Sequence, residues 1–324
     1  MNQERLAHKA LTAYPITAPK ITFLRHNENR TFRVLDELTN TVYLLRIHSP
    51  LTTTFQGERL RPHGIVSELQ WLEALANETD LILQHPVRTH DGALVQTVAG
   101  DDGEDVACSL LSWIEGDPFP KNPSSEQVEQ LGIVIAALHN HARRWTLPDT
   151  FTRPMYDSAF YRQQINMLAM GGSDGTIKDK DFATIQETLE QILVVLEELK
   201  EAAILIHADL HSGNLLVSDA DIRPIDFSLC GFGYPLFDLS TCLPAIPPDL
   251  RSNLLAAYQR IEVLPPEYPR LIDAFFLLSR MGSYVYMLPN PAVREWLKER
   301  IPRFTAQECQ IFLAGKSLLF GGPF

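Results

Sequence analysis

Apolar and polar positions alternate in two neighbouring runs, TFRVLDE (residues 31–37) and TVYLLRI (41–47), and the intervening LTN predicts a hairpin turn. Further along, GALVQTVAG and EDVACSLLSWI are two more strand-like runs flanking GDDGED, whose Gly and Asp residues favour a turn. One stretch of helical period interrupts these strands, at about residues 64–77. From about residue 118 the period becomes that of helices. SSEQVEQLGIVIAALHNHARRW opens with Ser124 three residues before Gln127, the spacing of a capping box. DFATIQETLEQILVVLEELK reads as a second long amphipathic helix, and LIDAFFLLSRMGSYVYML and PAVREWLKERI follow. The pattern implies an α+β chain with a strand-rich N-terminal lobe (1–112), a hinge (113–120) and a larger, mainly helical lobe (121–324).

At 324 residues and 45% hydrophobic content, the chain can build one large or two ordinary domains. Its 28 Lys and Arg against 40 Asp and Glu leave a net charge of -12. Such a surface repels phosphate backbones, so nucleic acid is not an expected partner and neutral or cationic small molecules fit better. Cys108, Cys230, Cys242 and Cys309 form no CxxC pair, which argues against structural zinc and a disulfide framework. A reducing cytoplasm is the simplest setting. The N-terminal MNQERLAHKALTAYP lacks the apolar core of a signal peptide, and apolar runs such as ILVVL fall far short of the roughly 18 residues a membrane helix needs. A cytoplasmic monomer or weak dimer, away from membranes, is the expectation.

The densest chemistry lies in HADLHSGNLLVSDADIRPIDF, residues 207–227, where two strand-like apolar runs surround polar loops. His207-x-Asp209-x-x-x-x-Asn214, followed 12 residues later by Asp226, matches the order of a kinase catalytic loop and its metal-binding aspartate. Phosphoryl transfer needs a carboxylate at the acceptor hydroxyl and hard oxygen ligands for Mg²⁺ on the nucleotide phosphates. In that reading Asp209 is the base, orienting the hydroxyl and taking its proton late, and Asn214 and Asp226 are the metal ligands. His207 and His211 order the loop, and Asp219 and Asp221 are turn residues. A rival reading takes His207, Asp209 and His211 as the metal-ligand cluster of a hydrolase.

LIHADLHSGNLLV and PIDFSLCGFGYPLFDLS resemble the aminoglycoside phosphotransferase and choline kinase superfamily, which has the protein-kinase-like fold. The resemblance spans about residues 20–285 and is specific at 207–238. It implies a two-lobed α+β architecture, with a small N-terminal antiparallel sheet lobe carrying one helix and a larger helical lobe. It further implies an ATP- and Mg²⁺-dependent transfer of the γ-phosphate to a hydroxyl of a small molecule, with GTP open as an alternative donor. The acceptor class is an aminoglycoside, an amino alcohol, a homoserine-like amino acid or a sugar. Ala208 stands where the family commonly has Gly, a mild departure, and Asp238 in FDLS orders the loop below the site.

The same resemblance predicts further parts. Val42, Leu44 and Arg46 share one strand face, which places Arg46 as the phosphate-binding cation. Glu68 sits within the apolar helical stripe of Ile65, Leu69, Leu72 and Ala76 and needs a partner, for which Arg46 is first choice; Glu73 is the second-choice carboxylate. FLRHNENRTFRV, the phosphate-covering stretch, has no Gly, with Glu28-Asn29 in its place. The hinge LSWIEGDP offers backbone groups of Ser112, Trp113 and Ile114 to adenine. TRPMYDSAFYRQQINMLAMGGSDG (152–175) is the acceptor insertion, with Tyr156, Asp157 and Tyr161 as candidate lining residues. Two other readings are a protein Ser/Thr kinase, disfavoured by the lack of an A-P-E segment in residues 230–250, and a nucleotide-binding pseudokinase acting as a partner-binding module.

Overall fold

The computed structural model describes residues 3–26, 29–48, 61–100, 105–197, 199 and 203–321. The chain opens with α1 (Gln3–Leu11), β1 (Pro19–His26), β2 (Arg30–Asp36) and β3 (Thr41–Ile47). After α2 (Pro62–Glu78) come β4 (Pro86–Val87), β5 (Gln96–Ala99), β6 (Asp105–Ser112) and β7 (Asp117–Pro118). Helices then dominate: α3 (Ser125–Arg144), α4 (Ser158–Asn166), α5 (Met170–Ser173) and α6 (Asp179–Glu197). The short strands β8 (Ile204–Ile206), β9 (Leu215–Ser218), β10 (Asp221–Pro224) and β11 (Gly231–Gly233) bracket the polar loops. Last come α7 (Pro235–Cys242), α8 (Arg251–Tyr258), α9 (Tyr268–Met287), α10 (Arg294–Arg303) and α11 (Gln310–Leu313).

Two compact units result, and the chain returns twice to the first, which comprises Met1–Pro118, Trp145–Pro154 and Leu216–Leu229. Its main sheet is antiparallel, in the order β1-β2-β3-β6-β4, with β5 also paired to β6. The two-residue period places Phe32 and Val34, Leu45 and Ile47, and Cys108 and Leu110 in one buried cluster. Helix α1 covers that face with Leu6, Ala7, Ala10 and Leu11, and Tyr14 packs beyond its end. The sequence reading had no helix here, although Ala7, Ala10, Leu11 and Tyr14 follow its spacing. On the opposite face Arg46 of β3 lies in register with Ser109 of β6. The β2–β3 hairpin forms as read from the alternation, with Asp36 opposite Thr41 and Asn40 taking a left-handed φ of 56° in the turn. The Gly-free phosphate-covering stretch is largely strand, since β1 runs to His26 and β2 starts at Arg30. Glu28 lies outside the described residues, as do 101–104 of the GDDGED turn.

The second unit comprises Phe119–Arg144, Met155–Leu215 and Cys230–Phe324. The capping box at the start of α3 is present: the Gln127 amide donates to Ser124 Oγ at 3.1 Å, and the Ser124 amide donates to Gln127 Oε1 at 3.0 Å. Helices α3 and α8 pack so closely that a Cβ on Gly132 would sit 2.3 Å from the Leu254 carbonyl oxygen, which only glycine allows. Strands β8 and β11 pair antiparallel, so the residues leaving β8 enter the 207–214 loop from a fixed edge. All four cysteines are free and buried, and burial pushes the Cys108 thiol up to about 12. Among the described residues no helix is long and apolar enough to cross a membrane.

Candidate active site

In the second unit the loop after β8 is built around Asp238, a carboxylate fully buried in α7. Its oxygens accept the amides of His207 at 2.9 Å and Ala208 at 2.8 Å, and His139 Nε2 approaches at 3.1 Å, with the Tyr258 hydroxyl 3.0 Å from the other ring nitrogen. A buried carboxylate is tolerated because donors surround it. The loop-ordering role expected for Asp238 is therefore visible as hydrogen bonds. His207 is fully buried, and its Nδ1 accepts the Asp209 amide at 3.3 Å; His211 Nδ1 accepts the Gly213 amide at 2.9 Å. Both histidines use a ring nitrogen on the backbone, and no group of three His, Cys, Asp or Glu among the described residues is arranged to hold a metal.

The geometry corrects the reading of Ala208 as a mild departure. Its φ is 64°, in the left-handed region where an L-residue with a Cβ is strained by roughly 1–2 kcal/mol. The two amides held by Asp238 enforce that conformation. Ala208→Gly is expected to raise unfolding stability by about 0.5–1 kcal/mol, glycine's greater freedom in the unfolded chain offsetting part of the relief. Urea denaturation of the two proteins measures it, and unchanged or lowered stability would contradict the strain.

Asn214 faces Asp209. Its side-chain amide donates to the Asp209 main-chain oxygen at 2.9 Å and to Oδ2 at 2.8 Å. Both amide hydrogens are thereby directed at Asp209, and among the described residues no donor reaches the Asn214 Oδ1. The amide thus fixes the Asp209 carboxylate and presents a bare carbonyl oxygen, the donor type a hard divalent cation takes.

Asp226 belongs to the first unit, in the turn after β10, and also has a left-handed φ of 64°. Its carboxylate is 3.7 Å from the Arg25 guanidinium near the end of β1. In the same unit Arg46 and Glu68 form a buried ion pair, Nη1 to Oε1 at 2.7 Å, with both side chains about 5% exposed or less. Arg46 Nε also donates to Ser109 Oγ at 3.2 Å, and Ser109 Oγ lies 2.9 Å from His48 Nε2. Burial first, then the charge of Arg46, holds His48 well below the ordinary imidazole range, so the ring beside Ser109 is neutral. Arg46 Nη2 is buried and has no acceptor among the described residues, a donor left unused on a fixed positive charge. Glu73, the second-choice carboxylate, is instead paired with Arg88, whose Nε donates to it at 2.9 Å.

The hinge groups are unequally engaged. The Ser112 amide donates to the His85 carbonyl, its hydroxyl accepts the His85 amide, both at 2.8 Å, and its carbonyl accepts from Gln84 at 3.2 Å. The Trp113 amide donates to Val42, and Arg33 lies over the Trp113 ring at 5.6 Å. Of the expected residues, the Trp113 carbonyl and both main-chain groups of Ile114 have no partner among the described residues. In the acceptor insertion Tyr156 donates its amide to Phe232 at 2.7 Å, and Asp157 caps α4 by accepting the Phe160 amide at 2.9 Å. Burial, then nearby Tyr156, Tyr234 and Asp157, raises the Tyr161 phenol well above its ordinary range; burial and Asp157 also raise Tyr234. These four residues form one acidic and aromatic cluster, in which Tyr161 is buried and Asp157 exposed. Tyr234 is absent from the sequence-based candidates, its position beside Asp157 being set by β11.

With this fold and chemistry the protein is a kinase-like phosphotransferase acting on hydroxyl groups of small molecules. The chain belongs to the phosphotransferase enzyme family (APH), whose model matches residues 20–273. Amicoumacin kinase of Bacillus subtilis (strain 168) is 22% identical over 302 residues, covering 87% of this chain and 84% of that protein. Among solved structures, the microcompartment-associated aminopropanol kinase is 26% identical with a TM-score of 0.77, covering 96% of this chain and 98% of its own. An amicoumacin kinase in complex with AMP-PNP, Ca²⁺ and Ami has the same fold, at 19% identity, a TM-score of 0.77 and 95% coverage of both chains.

Proposed function

We propose that the protein transfers the γ-phosphate of ATP, with Mg²⁺, to the hydroxyl of a cationic small molecule of the amino-alcohol class. The observation that carries the reading is the Asn214–Asp209 pair, in which one side chain aims the carboxylate and keeps an oxygen bare for a cation. Asp209 orients the acceptor hydroxyl and takes its proton, while the Asn214 amide stays fixed on it. Asn214 Oδ1 in the second unit and the Asp226 carboxylate in the first are each proposed as cation donors, and a cation when bound neutralises phosphate charge. Arg46 grips phosphate through its unpartnered Nη2, with Glu68 locking the guanidinium in place. Ile114 and the Trp113 carbonyl serve adenine. The division into an N-terminal nucleotide lobe (1–112), a hinge (113–120) and an acceptor lobe (121–324) is part of the same proposal. The AMP-PNP and Ca²⁺ complex of amicoumacin kinase supports the donor assignment. A protein-kinase reading is disfavoured because α7 starts at Pro235, leaving only residues 227–234 after Asp226 for an activation segment.

The likeness to aminopropanol kinase and the Asp157 cluster support an ammonium-bearing acceptor. ATP consumption is expected with small amino alcohols such as aminopropanol, and not with the corresponding neutral diols. Asp157→Asn retains the helix cap but not the charge. It should raise the acceptor KM roughly 10- to 100-fold with little change in kcat, as expected for a hydrogen bond to a charged group. Equal turnover of neutral alcohols, or undiminished activity in EDTA, would refute the proposal.

A further inference from the structure

Arg153 is a buried guanidinium in the segment that returns to the first unit, and the transfer reaction as described above makes no use of it. Taking an arginine out of water is costly unless its donors are matched, so its placement calls for a reason. Its Nη1 donates to the Gly64 carbonyl in the first turn of α2 at 3.0 Å, and its Nη2 donates to the Ser228 carbonyl at 2.6 Å. Beside it the Thr152 amide donates to Ser67 Oγ, also of α2, at 3.0 Å. Thus one side chain and its neighbour tie together two pieces of chain: the helix that carries Glu68 and the turn that begins with Asp226.

That turn needs holding. Asp226 has a positive φ, a conformation non-glycine residues keep only where their surroundings over-determine it. Phe227, next in the chain, packs its ring edge-on against Trp71 of α2, centroids 5.6 Å apart. The aromatic contact fixes a side chain; the arginine fixes the backbone one residue further. The planar fork of Arg reaches the two carbonyls from two separate nitrogens in fixed geometry, whereas Lys offers one nitrogen on a flexible stem.

We propose that Arg153 is a positioning residue, clamping the Ser228 carbonyl to the N-terminal turn of α2 so that Asp226 is held in its ligand geometry relative to the Arg46–Glu68 pair. The inference rests on the reading of Asp226 as a metal ligand. It assigns to Arg153 no contact with substrate or nucleotide.

The test measures Mn²⁺ binding directly, by electron paramagnetic resonance of the free ion, in the full-length protein with AMP-PNP present. Asp226→Ala should abolish the protein-dependent component. Arg153→Met should weaken it roughly 10- to 100-fold, the usual effect of removing a group that orients a metal ligand. The metal concentration for half-maximal activity should rise in parallel, with the acceptor KM unchanged. If the methionine variant does not fold, Arg153→Lys decides the matter, with weakened Mn²⁺ binding again the expected result. Wild-type Mn²⁺ affinity in a folded Arg153 variant, with only a lower melting temperature, overturns the positioning role while leaving Asp226 as ligand. Wild-type affinity in Asp226→Ala removes the premise itself, a separate and distinguishable failure.

Discussion

Asp209→Asn lowers kcat for phosphate transfer by about 10²–10⁴-fold, the range general acid–base catalysis contributes, while leaving ATP affinity and unfolding stability close to wild type. The expectation follows from the geometry of the loop. An asparagine at this position keeps an oxygen to accept from the Asn214 amide, which lies 2.8 Å from Oδ2, and its main-chain oxygen still accepts at 2.9 Å. His207 still receives the residue's amide, and Asp238 still holds the two amides before it. The substitution therefore deletes the charge and the proton acceptor, together with the attraction of the carboxylate for His211 Nε2, 3.6 Å from Oδ1. Single-turnover kinetics with calorimetric measurement of ATP binding separates the two effects. A variant that retains well over about a hundredth of the wild-type rate has lost less than the smallest contribution expected of a general base and sinks the assignment. Loss of ATP binding alongside rate would instead place Asp209 in nucleotide recognition.

Much of this framework is legible in the sequence because its signals are local. The alternation of residues 31–47 sets the hairpin, Ser124 and Gln127 announce α3, and a carboxylate at Glu68 within an apolar stripe demands a cation, which the structure supplies in Arg46 at 2.7 Å. What escaped the sequence depends on partners far along the chain. The left-handed backbone at Ala208 is imposed by Asp238, 30 residues away. Arg153 reads as an ordinary loop arginine until its acceptors appear 89 and 75 residues distant. The unequal engagement of the hinge follows from Gln84 and His85, which no spacing rule connects to Ser112. Helix α1 was missed for another reason: it is short and its stripe is mostly alanine and leucine, a weak period without the sheet face it covers.

Glu68→Ala is expected to destabilise the first unit by about 3–5 kcal/mol, because it strands the Arg46 charge in a site where, among the described residues, Ser109 is the acceptor that remains. That is a large part of a typical folding free energy of roughly 5–15 kcal/mol, so the variant should show an early unfolding transition in urea. The double replacement Arg46→Met with Glu68→Leu separates stability from function. Removing both charges and filling the space with apolar side chains is commonly neutral or stabilising for a buried pair, so most of the loss should be recovered. Phosphate transfer should not return, since the cation with the unused Nη2 donor is then gone. A stable but inactive double variant means that the pair is kept in the interior for its chemistry and that the fold tolerates rather than requires it. An active double variant would show that phosphate is gripped elsewhere, with Arg25, 3.7 Å from Asp226, the next cation to examine. A double variant as unstable as Glu68→Ala would mean instead that the cavity between β3 and α2 is shaped for the salt bridge, and that its role is structural first.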